Sequence, residues 1–133
     1  MMELIEPLGW PRPSGFSNGV EAVLAFSRLL TIAGQIGWNE RNELVSSDFA
    51  DQAAQALRNV MTVLRTAGGK PEQLVRLTWY VTDKRAYLAA SEAIGKAYRE
   101  IVGSVYPAMT LVVVADLLED GALVEIEATA VLR

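Results

Sequence analysis

The chain has 133 residues, 51% of them apolar, a formal charge of -4, and neither cysteine nor histidine. That length and apolar content predict a single folded domain, residues 1–133, with one core rather than a disordered chain. The missing residue types exclude thiol nucleophiles, disulfides, Cys or His metal ligands and a Ser-His-Asp triad, and leave Asp, Glu, Tyr, Lys, a terminus or water for proton transfer.

No metal or cofactor is expected. The sequence has no run of Lys and Arg to neutralise phosphates, so no nucleic-acid partner is expected either. No apolar run is long enough for a bilayer, and Met1-Met2-Glu3 does not begin a basic and then apolar leader. The expectation is a soluble cytoplasmic protein with no membrane partner.

In chain order, Glu3 to Ser17 contains Pro7, Pro11 and Pro13, which predict a short strand and then an extended, proline-stiffened arm. Gly19 to Phe26 and Leu29 to Ile36 are β-favouring runs, and Ser27-Arg28 between them predicts a tight hairpin. Asn39 to Ser47 is polar and loop-like. Asp48 to Ala67 predicts a helix, because Phe49, Ala53, Leu57, Val60 and Leu64 recur at three- and four-residue steps. Gln52, Gln55, Arg58 and Arg65 fall largely off that stripe. Asp48 or Ser47 caps its start and Gly68-Gly69 ends it.

Leu74 to Val81 predicts a strand rich in Thr, Trp, Tyr and Val. Asp83 caps a second helix running to about Val102, with Tyr87, Ala90, Ile94, Tyr98 and Ile101 on its buried face. Ala108 to Ala115 and Leu123 to Leu132 predict the last two strands, joined by an acidic turn with a glycine. The fold class is α+β: a single mixed sheet with two helices packed on one face. Leu111 to Val114 is apolar without a break, so both faces of that strand call for burial. Two helices cover only one face of a sheet, and burying the other against further subunits of a symmetric oligomer is the simplest solution.

Five segments carry a resemblance. Tyr106-Pro107-Ala108-Met109-Thr110 leads into one strand, and Val124-Glu125-Ile126-Glu127 forms the next. Ala33-Gly34-Gln35-Ile36, Ala53-Ala54-Gln55-Ala56-Leu57-Arg58-Asn59-Val60 and Leu77-Thr78-Trp79-Tyr80-Val81-Thr82-Asp83 precede them in order. From about Gly15 to Leu132 the chain resembles the Rid family (reactive intermediate deaminases), also called the YjgF or endoribonuclease L-PSP family. The resemblance implies a chorismate-mutase-like fold assembled as a barrel-cored homotrimer, with a small-molecule ligand in a cleft between subunits. In deaminating members it implies hydrolysis of an enamine or imine derived from an amino acid.

Carried over residue by residue, the resemblance makes Glu125 the catalytic carboxylate and Phe16, Ala33, Gly34, Ser91 and Met109 the substrate-binding positions. Met109 stands where deaminating members have an arginine that clamps the substrate carboxylate through paired hydrogen bonds. Phe16 replaces a frequent tyrosine and Ala33 a frequent serine, each without the hydroxyl. Ser91 stands near an asparagine position. These changes predict a more apolar pocket, suited to a less charged or aromatic ligand.

Other readings of the same residues stay open. Glu125 and Glu127, on one side of a strand, could form edge salt bridges. Met109 could be a gap filler. Gly34 could admit a ligand or mark a bend. Trp38 and Trp79 could line a cleft or anchor the core. Arg28, Arg76 or Arg133 could replace the missing clamp or be solvated.

Overall fold

The structure, a computed structural model, describes residues 2–5, 8–11 and 19–133. Phe16 and most of the proline arm therefore lie outside the described residues. Strand β1 (Met2–Ile5) pairs antiparallel with β2 (Gly19–Ala22) as a separate two-stranded sheet. The main sheet has four strands in the order β3 (Arg28–Gln35), β6 (Val124–Leu132), β4 (Leu74–Val81) and β5 (Ala108–Val113). Its pairings are antiparallel except β4 with β5, which makes the sheet mixed.

Helix α1 (Phe49–Thr66) begins where the sequence predicts. The Asp48 carboxylate accepts the Asp51 backbone N–H, and Gly68 beyond the last turn has φ of 86°. Phe49, Ala53, Leu57, Val60 and Leu64 are all buried against the sheet, with Leu74, Leu77, Ile126 and Ala130 among their core companions. Among the described residues no helix is long and apolar enough to cross a membrane.

Three expectations are corrected. The second helix is two, α2 (Lys84–Ala89) and α3 (Ser91–Ile101), because Ala90 leaves helical geometry at φ of -94° and ψ of 1°. Alanine is the best helix former, so the sequence carries no sign of that break. The turn before β3 exists, closed by Ser27 N–H donating to the Leu24 carbonyl, with Phe26 at φ of 59°. The strands it joins do not form a hairpin: β2 takes β1 as its partner and β3 takes β6. The sheet is accordingly not single.

Gln52 is the third correction. It is fully buried in the first turn of α1. Its Nε2 donates to the carbonyls of Ser46 and Gly121, and its Oε1 accepts the Leu123 N–H. One amide thus stands in for a missing strand partner and ties the turn before β6 to α1. Asn59, two turns further along the same helix, donates to the carbonyls of Ile36 and Trp38 and fixes the exit of β3.

Candidate active site

Strand register sorts the site residues onto two faces. Facing neighbours across a ladder share a face, and successive residues alternate. Tyr80 faces Glu125, and Thr78 faces Glu127, across β4 and β6. Leu77 faces Met109 across β4 and β5. Leu77 is fully buried in the core beneath the helices. Met109 therefore lies on the helix-covered face, and Glu125 and Glu127 on the opposite one.

On the helix-free face, Glu125 rests directly on Gly34. A Cβ at position 34 would come within 2.8 Å of the Glu125 Cδ and 3.1 Å of its Oε1. Gly34 also sits in the register shift between Ile32 and Gln35. Its lack of a side chain seats the carboxylate, and the bend follows from the same place in β3. Ala33, beside it, is exposed, and its carbonyl accepts the Gln35 Nε2. Glu127 accepts a hydrogen bond of 2.6 Å from the Tyr80 hydroxyl. That bond, then desolvation and the charges of Glu127 and Glu125, hold the Tyr80 phenol above its ordinary pKa, so it stays a neutral donor. Among the described residues neither glutamate forms an ion pair.

On the helix-covered side, α3 and the edge strand β5 enclose a cavity of about 480 Å³. Met109 and Leu111 form one wall, with Trp79 of β4 behind them. Ser91, Gly95 and Arg99 come from α3 at four-residue steps and share one stripe of that helix. Tyr98 and Tyr106 stack with ring centroids 5.4 Å apart and complete the lining. Trp79 is 3% exposed, as an anchor should be, and its Nε1 is buried with no hydrogen-bond partner among the described residues. Trp38 is half-buried in the loop after β3, bridged to Leu44.

The Tyr98 hydroxyl donates to the Val105 carbonyl and holds the α3–β5 connection against the cavity. Burial, and secondarily Tyr106, pushes its pKa far above the ordinary 10.0. A raised folded-state pKa stabilises the fold at every pH below the ordinary value and loses that contribution as pH climbs above it. Tyr98→Phe is expected to cost about 1 kcal/mol at neutral pH, where one hydrogen bond is lost. It should also flatten the decline in stability above about pH 10. Urea unfolding of both proteins across that range checks this.

The structure thus brings Gly34 and Glu125 together, and separately Ser91 and Met109. Arg28 donates to the Ala67 carbonyl, Arg76 to Thr110 Oγ1 and Arg133 to the Val23 carbonyl. None of these three lines the cavity. The arginine that does is Arg99, which the sequence reading passed over. Its signal was the Ser91, Gly95, Arg99 spacing, with a glycine where a helix interior disfavours one.

The fold is shared with solved structures of the Rid family. The family model for endoribonuclease L-PSP matches residues 12–132, and the chain belongs to that family. A RutC family protein of Pyrococcus horikoshii is 33% identical over 98% of both chains. The 2-iminobutanoate/2-iminopropanoate deaminase of Escherichia coli is 34% identical over 91% of this chain and 92% of that one. Among solved structures, a Rid-family protein of unknown function from Yersinia pestis, YyfB, has a TM-score of 0.85 and 39% identity, covering 98% of each chain. Escherichia coli TdcF with bound serine has a TM-score of 0.66 and 27% identity, again covering 98% of each.

Proposed function

We propose that this protein is a homotrimer whose intersubunit cleft hydrolyses reactive enamine or imine intermediates to a carbonyl compound and ammonia. The observation that carries the reading is the seat of Glu125: an uncharged glycine floor holds a carboxylate that has no ion pair among the described residues. Such a group is free to take a proton from water. The two groups of site residues lie on opposite faces of one sheet, and a second copy laid against the first is the simplest way to unite them. Exposed apolar residues support such an assembly: Leu29, Val112 and Val113 are 60%, 40% and 53% exposed. The deaminase names of relatives support the reaction class.

In the reaction, an enamine first takes a solvent proton on carbon to become an iminium ion, the protonated imine. Water adds to the C=N carbon while Glu125 accepts its proton. The nitrogen is protonated, the C–N bond of the carbinolamine breaks, and ammonia leaves as the hydroxyl becomes a carbonyl. Glu125 returns its proton to that nitrogen and takes the hydroxyl proton as the carbonyl forms, and the departing ammonia carries that proton away as ammonium, so water and one solvent proton are the only other reactants. The family description names an endoribonuclease. A chain without histidine and with a net charge of -4 does not favour the acid–base chemistry and phosphate binding that RNA cleavage calls for.

The test is a coupled assay in which a pyridoxal-phosphate lyase generates 2-aminoacrylate. Wild type should release ammonia and pyruvate faster than the uncatalysed rate. A rate equal to the uncatalysed one would leave a non-catalytic binding protein as the reading. Met109→Arg should then be inert as well if the pocket serves another ligand.

A further inference from the structure

We infer that Arg99, lying across Gly95 on α3, is the cationic anchor of the cavity and selects ligands that carry a carboxylate. The inference names a ligand class for the cavity assigned to the proposed function and rests on that reading for the reaction alone.

The argument begins with Gly95. A glycine inside a helix costs about 0.5–1 kcal/mol relative to alanine, and this one has no positive φ to justify it. What stands over it is Arg99: a Cβ at position 95 would lie 3.4 Å from the Arg99 Nη1. Helical side chains lean toward the N-terminus, so a residue four positions on drapes over the one before it. The guanidinium lies within contact distance of the open position at Gly95, exposed at the rim of the cavity and two turns from Ser91.

The guanidinium is also uncommitted. Among the described residues Arg99 has no hydrogen bond or ion pair. It faces a wall of Met109, Leu111 and the Tyr98–Tyr106 stack. A planar, permanently charged fork beside an apolar and aromatic wall matches a small carboxylate with a short apolar body, bound through two parallel hydrogen bonds. Met109 adds no charge, so the anchoring charge of this cavity comes from the helix rather than from the strand. This reverses the expectation, drawn from Met109 alone, of a pocket for less charged ligands.

The experiment uses 2-oxobutanoate and its neutral analogue 2-oxobutanamide as probes, with affinities from NMR titration of the full chain. Wild type should prefer the acid. Arg99→Gln should weaken the acid by about ten- to a hundredfold, the worth of a charge-assisted pair, and leave the amide unchanged. Arg99→Lys should retain part of the preference. Gly95→Leu, which occupies that open position, should lose it with Arg99 still present. Arg99→Gln combined with Met109→Arg should regain it, and that recovery also shows an intact fold.

Equal binding of acid and amide by wild type, no binding of either, or an unaltered acid affinity in Arg99→Gln overturns the proposal. The two readings fail separately. An Arg99-dependent preference without turnover sinks the hydrolase and keeps the anchor. Turnover with a KM indifferent to Arg99→Gln does the reverse.

Discussion

Glu125→Gln is expected to slow 2-aminoacrylate hydrolysis by about a hundred- to ten-thousandfold, the usual worth of a positioned general base. Glutamine keeps the length and shape of the side chain, so the close seat on Gly34 is preserved. What it loses is the ability to take a proton from water. Stability should hardly change, because Glu125 is only half-buried and has no ion pair among the described residues. Initial rates of ammonia release, with melting curves of both proteins alongside, check the prediction. A glutamine variant at full rate would reduce Glu125 to a positioning group. Gly34→Ala approaches the same point from the other strand: its Cβ meets the Glu125 side chain at under 3 Å, so the carboxylate must move and the rate should fall with it.

Gln52→Leu is expected to produce the largest loss of stability. Leucine nearly matches the volume, but it leaves the carbonyls of Ser46 and Gly121 and the N–H of Leu123 without their partner. A fully buried orphaned group costs about 1–3 kcal/mol and these three are part-buried, so a total of about 2–4 kcal/mol is expected. In a domain of this size that lowers the melting temperature by roughly 10 °C or more. Chemical unfolding measures it directly. The functional consequence follows from position: Leu123 immediately precedes β6, which carries Glu125. A loosened strand entrance should lower the rate even at temperatures where the variant stays folded. A loss below 1 kcal/mol would mean that the turn before β6 finds other partners.

The sequence announced most of the scaffold. The apolar stripe of α1, its Asp48 cap and the Gly68 stop are local signals, and the structure bears each out. So does the Asp83 cap of α2, which accepts the Ala86 N–H. What escaped was non-local. Gln52 looks like a surface residue in a helical pattern, and only its three partners from distant segments justify its burial. The pairing of β2 with β1 depends on competition between strands, which no local pattern encodes.

The site divided in the same way. Glu125 and Gly34 were legible as residues, while their contact arose from the register of β3 against β6. Ser91 and Met109 were picked out along the chain, but their separation from Glu125 by the thickness of the sheet became clear only from strand pairing. Arg99 was not legible in this way, because an arginine on the polar side of a helix reads as solvated and only the packing of α3 beside β5 brings it to the cavity.

Complementation between two disabled variants tests the central claim most directly, that the site joins the Glu125 face of one subunit to the α3–β5 cavity of another. Glu125→Gln removes the carboxylate. Gly95→Phe fills the cavity from a position where an added Cβ meets only the end of Arg99. Each homogeneous protein should be nearly inactive. After co-expression, random assembly in a cyclic oligomer rebuilds both halves at about a quarter of the sites. The account predicts a corresponding recovery of 2-aminoacrylate hydrolysis. Mixed assemblies no more active than either parent would contradict it, because a site contained within one subunit cannot be restored by its neighbour.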